Sequence, residues 1–300
     1  MFGILNVNKT KYATSRTAVN AVQFVCKPHK VGHAGTLDPM ATGVLLICVG
    51  RATRLVSRIQ NLPKVYRTNF VFGQTSDTDD CMGTVEQSNG ITPDEAAIRS
   101  VLTKFTGDIQ QVPPKFSAVH VNGKRAYKLA RKGKAVKLQP KAVRVDRFEL
   151  LAPTEKENEF TFEIECGSGT YIRALARDLG QVLGCGGLMS ALERTRIGDF
   201  TCENGLRLTT DNEGGWLRTT AEEVAGALES PLAALPNVAT RPCSDTETER
   251  VRLGRSIEYR EESKSAEIAL LNPVGKVIAL AAFDPKANTL QPRLVFDPKQ

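Results

Sequence analysis

Asp38 is the residue whose setting most suggests chemistry. It is the sole acid among the first sixty residues, which hold eight lysines and arginines, and it lies in the turn-rich stretch Gly32-His-Ala-Gly-Thr-Leu-Asp-Pro-Met-Ala-Thr-Gly43. Surrounding cations lower a carboxyl pKa, so Asp38 is expected to stay ionised, which suits a nucleophile and not a general acid. The residues alone leave a second reading open, in which Asp38 merely caps a turn at Asp-Pro. Other chemistries lack their residues. Gly167-Ser-Gly-Thr170 has neither the third glycine of G-x-G-x-x-G nor a G-K-[ST] sequence, and there is no G-x-S-x-G elbow. The seven cysteines (26, 48, 81, 166, 185, 202, 243) never fall as C-x-x-C, and the histidines at 29, 33 and 120 form no ligand cluster. Reduced structural thiols and no metal site are therefore expected.

Charge is uneven along the 300 residues. The net formal charge is +7, yet residues 104–147 hold twelve lysines and arginines against Asp108 and Asp146, while residues 201–263 hold twelve acids against seven bases. The excess therefore points to a localised anion-binding face. Taken alone, 104–147 reads first as a solvated helix face. Paired with the basic first sixty residues, and with Tyr66, Phe116 and Tyr127 nearby, it points to nucleic acid. The longest apolar run, Val277–Phe283, has seven residues where a spanning helix needs about 20, so no membrane segment is expected. Met1–Asn8 has no basic residue ahead of its apolar stretch and no small-residue cleavage site, so no signal peptide is expected and the cytoplasm is the expected address.

The elements that must hold Asp38 are legible in outline. Gly3–Val7 reads as a short strand, and Thr14 or Ser15 caps a helix carrying Val19, Val22 and Val25 that stops at Lys27-Pro28. Val44–Val49 reads as a buried strand, and residues 65–72 alternate with a strand's period. Thr92-Pro-Asp-Glu95 supplies an N-cap, a proline at N1 and a capping-box glutamate for a helix reaching about Phe105. Asn122-Gly123 marks a tight turn. Phe160, Phe162, Ile164 and Cys166 alternate as a strand, followed by a helix from about Tyr171 to Leu183 closed by Gly184. Such strands are not regularly interleaved with helices, which predicts an α+β fold with a mixed, mainly antiparallel sheet. Pro231–Pro236 and Arg241–Ser244 frame a boundary, giving a domain over 1–238 and a small β-rich domain over 239–300.

Six blocks carry a family resemblance, in order: Gly32–Leu45 around Asp38, Lys64-Val-Tyr-Arg67, Gly73–Asp79, Gly107–Ala118, Gly123–Arg131, and Gly169-Thr-Tyr-Ile-Arg173. Over about residues 3–200 the chain resembles the TruB family of tRNA pseudouridine synthases, which isomerise uridine 55 in the T-loop of tRNA. The resemblance implies Asp38 as nucleophile, Tyr66 stacking on the target base, Tyr171 assisting removal of the C5 proton, and Arg173 pairing with Asp38. It further implies Leu192 lining the base pocket, His33 as a wedge in the space the flipped base leaves, and RNA contacts from Lys9, Lys124, Arg125, Lys128 and Arg131. Neither metal nor organic cofactor is implied, and the partner is the T-arm stem-loop of tRNA bound to a monomer. Val274–Leu280 and Leu290–Phe296 resemble strands of a PUA-like domain. Flipping agrees with the physics, because a stacked uracil cannot be attacked until it leaves the stack for an aromatic-lined pocket. Two departures stand out: Lys9-Thr-Lys-Tyr-Ala-Thr-Ser15 lacks the proline and glycine of the family's Lys-Pro-x-Gly-x-[ST]-Ser, and Glu193 stands where a basic residue is usual. A non-catalytic RNA-binding module and a guide-RNA-dependent enzyme of the dyskerin branch are the competing readings.

Overall fold

The computed structural model describes residues 1–121, 123–130, 132–133, 138–210, 217–259 and 267–296. Contacts divide the chain into two compact units: residues 1–38, 45–60 and 199–300 form one, and residues 39–44 and 61–198 the other.

The second unit is built on a sheet with the strand order Gly187–Ile197, Lys64–Phe72, Glu159–Cys166, Lys141–Pro153 and Gly107–Gln111, all neighbours antiparallel. Thr42 and Gly43 pair in parallel with Glu193 and Arg194, which makes the sheet mixed. The expected α+β class with a mainly antiparallel sheet is what forms. Period-two alternation puts Lys64, Tyr66, Thr68, Phe70 and Phe72 on one face of their strand. Directly opposite them stand Cys166, Ile164, Phe162 and Phe160 on one side, with Arg194 and Leu192 on the other. Phe70 lies 4.8 Å from Phe162 and 6.1 Å from Phe148, and Phe105 closes the cluster at 6.3 Å from Phe148.

Phe105 ends a 3-10 helix, Leu102–Phe105, that continues the helix Glu95–Val101. The end expected for this helix is met, but its start is not: Asp94 is the N-cap and accepts from Ala97 N, two residues beyond the expected Thr92. An Asp side chain caps as well as a Thr, and taking the later cap leaves Pro93 outside the helix. The helix Ile172–Val182 lies against the strand Gly187–Ile197, with Gly184 past its end at φ +73°. A Cβ on Gly180 would stand 2.3 Å from Gly186 C, so only glycine permits this approach.

In the first unit, Gly3–Lys9 pairs with Leu228–Glu229, and Val31–His33 pairs with the Ile47–Val49 end of the strand Thr42–Val49. The helix Ser15–Val25 is capped by Thr14, which accepts from Thr17 N. A five-stranded sheet follows in the order Ala239–Pro242, Ile268–Leu271, Val277–Asp284, Thr289–Val295, Ile257–Glu258. It packs against the helix Asp245–Arg252, which opens with a Ser244–Glu247 capping box. This part has its own core, including Val251, Ile257, Ile268, Leu270, Ile278 and Leu290. Arg241-Pro242, read from sequence as part of a boundary, lies inside the sheet's edge strand. Proline is tolerated there because an edge strand has one unpaired side.

Candidate active site

Asp38 ends a loop that is fastened at several points. Ala34 N donates to Leu46 O at 2.8 Å, and Gly35 turns the chain at φ +114°. Ser15 Oγ then clamps Leu37, donating to its carbonyl at 3.1 Å and accepting from its N–H at 2.9 Å. The clamp is buried and sits one residue before Asp38, whose own side chain is half-buried. His33 lies at the start of the loop, paired in register with Ile47 and partly exposed.

The Lys9–Ser15 departure resolves into a defined turn. Tyr12, where the family pattern has glycine, takes φ +67° and is exposed. A left-handed conformation costs a non-glycine residue roughly 1–2 kcal/mol. Lys9 is fully buried, and its Nζ donates to Thr10 O at 3.0 Å and Ala13 O at 2.8 Å, so its ammonium secures the turn from within.

In the second unit, Tyr66 and Leu192 share the sheet face described above, both more than nine-tenths buried. Arg194 is opposite Tyr66 and Leu192 is opposite Thr68, while Glu193 is opposite Arg67 on the other face. Arg194 Nε donates to Val44 O at 2.8 Å. Gly43, at φ +94°, has no room for a Cβ, which would come 2.2 Å from Arg194 O.

Tyr171 occupies the N-cap position of Ile172–Val182 without capping it through its side chain. The buried Gln111 holds it instead: Tyr171 N donates to Gln111 Oε1 at 2.8 Å, and Gln111 Nε2 donates to Tyr171 O at 3.1 Å. Arg173, just inside the helix, is only 6% exposed. It donates to Thr78 O at 3.0 Å and Phe116 O at 3.2 Å, and Nη1 stands 3.4 Å from Asp80 Oδ2. Asp80 is held in turn by Thr78 Oγ1 at 2.7 Å and Met82 N at 3.0 Å. A second pair, Arg177 Nη1 to Asp79 Oδ2 at 2.8 Å, braces the same loop, with Asp79 at φ +60°. Burial raises the Asp79 carboxyl pKa overall, although Arg177 and Arg173 pull the other way.

Sequence reasoning missed Gln111, Asp80 and Arg194 as site supports. The first two lay within or beside quoted blocks, but nothing in their spacing reveals a partner sixty or more residues away. Lys124, Arg125 and Lys128 are exposed or partly exposed, on a hairpin pairing His120–Val121 with Lys124–Arg125 and the short helix Ala126–Ala130 behind it. Asn122 of the expected tight turn and Arg131 lie outside the described residues; Gly123 takes φ +76°. Among the described residues, no group of three or more His, Cys, Asp or Glu is arranged to hold a metal ion, and no helix is long and apolar enough to cross a membrane.

Comparison with known proteins fits these blocks. Residues 23–172 match the family model described as TruB family pseudouridylate synthase (N terminal domain), and residues 173–223 match the tRNA pseudouridylate synthase B C-terminal domain. The chain belongs to the TruB family. It is 34% identical over 306 residues to tRNA pseudouridine synthase B of Brucella anthropi, covering 96% of this chain and 94% of that one. Identity to the Mycobacterium tuberculosis protein of the same name is 41% over 260 residues, covering 85% and 84%. A chain in a solved H/ACA ribonucleoprotein bound to a substrate RNA containing 2'-deoxyuridine superposes with a TM-score of 0.68 at 20% identity, covering 99% of this chain and 86% of that chain, a likeness of fold. As a TruB-family pseudouridine synthase the chain is an isomerase.

Proposed function

We propose that this enzyme isomerises uridine 55 in the T-loop of tRNA, with Asp38 as the nucleophile. The observation that carries the reading is the buried Ser15 clamp on Leu37, which fixes the backbone one residue before Asp38 and so presents its carboxylate on a defined loop.

Arg173 is the residue expected to keep that carboxylate ionised, and its bonds to Thr78 O, Phe116 O and Asp80 aim its guanidinium fork. The Asp38 carboxylate forms a covalent bond to the nucleotide, at C1' of the ribose or at C6 of the ring. The N1–C1' bond breaks with its electron pair passing to the pyrimidine. The base turns, C5 bonds to C1', the C5 proton is removed with help from Tyr171, and the carboxylate is released. His33 is the wedge in the vacated stack. Lys124, Arg125 and Lys128 grip tRNA phosphates, and residues 239–300 act as a PUA-like domain that adds tRNA contact to a monomeric enzyme.

Incubation with an unmodified T-arm stem-loop, followed by mapping of pseudouridine at single-nucleotide resolution, tests the substrate. Product at the position of uridine 55 without any added guide RNA is expected. A requirement for a guide RNA, or no product at all, rejects the reading. Asp38→Asn should abolish turnover while leaving tRNA affinity within a few-fold, because it removes the nucleophile and little of the grip on phosphates. Turnover near that of the unaltered enzyme would return Asp38 to the role of a turn residue. Neutralising Lys124, Arg125 and Lys128 together should weaken binding and flatten its salt dependence by about 0.7–0.9 for every phosphate no longer neutralised. An unchanged slope makes this stretch a solvated face.

A further inference from the structure

The sheet face beside Tyr66 carries two buried cations that the mechanism above does not use. Lys64 is two residues before Tyr66 on the same strand and the same face, and Arg194 is opposite Tyr66 on the neighbouring strand. Both are more than nine-tenths buried. Placing two positive charges together inside a fold is unfavourable, and hydrophobic residues would fill the same space at lower cost. Nothing in strand formation requires them, since Cys166 and Ile164 stand opposite Lys64 and Tyr66 one strand away.

We propose that Lys64, together with Arg194, is a positioning residue for isomerisation: the pair makes the Tyr66 face electropositive, so that it favours the negative charge passed to the pyrimidine when N1–C1' breaks. This rests on the nucleophile reading above. In either route, attack at C1' or at C6, electron density moves onto the ring carbonyl system, and fixed cations in a water-poor site act on it strongly. Lys64 Nζ donates to Leu62 O at 2.6 Å, which holds the ammonium in place.

Burial, and next the neighbouring Arg194, bring the Lys64 pKa down to about 8, with Cys166 opposing. Cys166 faces it from the strand Glu159–Cys166, with its own pKa pushed up to about 11 by burial, so it is a neutral thiol near pH 7. Tyr66 is the other titratable group on that face of the strand. Arg196 and Glu165 pair with each other at 3.1 Å on the opposite face, beside Val65. Below pH 8 Lys64 is therefore positive, and above it Lys64 is neutral and its contribution to the face is lost.

The experiment is single-turnover isomerisation of a T-arm stem-loop from pH 6 to 10 with the full chain, Lys64→Met, Lys64→Arg and Asp38→Asn, alongside tRNA affinity and thermal midpoint. The unaltered enzyme should lose activity through a step near pH 8. Lys64→Met should be at least tenfold slower at pH 7 with affinity within threefold, and should lack that step. Lys64→Arg should keep most of the rate and carry it past pH 9. A step near pH 8 that persists in Lys64→Met overturns the proposal. So does an equal loss in both Lys64 variants that follows the thermal midpoint and leaves the pH profile unchanged, which would make Lys64 only a tie to Leu62. If Lys64→Met fails to fold, the presence or absence of the step in Lys64→Arg decides. An inactive Asp38→Asn beside an unaffected Lys64→Met rejects the Lys64 role alone; an active Asp38→Asn rejects the nucleophile and this proposal with it.

Discussion

The strand Lys64–Phe72 has two ends that obey one alternation and bury different chemistry. At the Phe70 end, the inward residues meet Phe162, Phe148 and Phe105, apolar against apolar, with Phe162 wholly buried. At the Lys64 end, the same face buries Lys64, Tyr66 and Arg194, groups that are costly to remove from water. Burial alone does not separate core from candidate site here. What separates them is whether the buried groups lower the energy of the fold or are kept by a fold that other interactions stabilise.

The contrast is sharpest in what substitutions should do. Arg173→Ala is expected to have the largest combined effect. It leaves Asp80 buried without its ion-pair partner and two carbonyls without a donor, a drop of roughly 3–5 kcal/mol in stability. Activity should fall further than the thermal midpoint explains, and Arg173→Lys should stay impaired because the planar fork is gone. Thermal unfolding and single-turnover rates on the same samples check both, and normal rates in Arg173→Ala would remove Arg173 from the site.

Phe162→Ala should also cost about 3–5 kcal/mol, from the forfeited transfer energy and the cavity left among Phe70 and Phe148. At a temperature where the variant remains folded, its rate per folded molecule should be close to normal. Denaturant unfolding gives the first quantity and active-site titration the second. A rate collapse at full folding would erase the distinction between the two ends.

Gln111→Ala is the smaller, finer test. It removes two hydrogen bonds that hold the Tyr171 backbone, worth about 1–3 kcal/mol in all. The helix start should loosen, so the chemical step should slow while tRNA affinity holds. An unchanged chemical step with lowered stability would make Gln111 a fold residue only.

Some of this was written in local sequence. Alternation along 65–72 and 160–166 predicted both strands, because side chains of a strand change face at every residue whatever surrounds them. Gly184 predicted the end of the Tyr171 helix, since a left-handed residue there suits glycine. The helix after Thr92 started two residues late because Thr92 and Asp94 are both competent caps, and only packing chooses between them.

What the sequence determined by itself, then, was what depends on near neighbours: strand period, helix ends, the turn-rich setting of Asp38, and the blocks by which the family is recognised. The tertiary structure alone decided which distant residues support them. Ser15 clamps Leu37 across twenty-two positions, Gln111 holds Tyr171 across sixty, and Asp80 meets Arg173 across more than ninety. Each partner is an ordinary polar residue with no periodicity to mark it. Its role arises only when folding removes water and leaves one donor facing one acceptor, and that pairing is a property of the packed chain rather than of any segment of it.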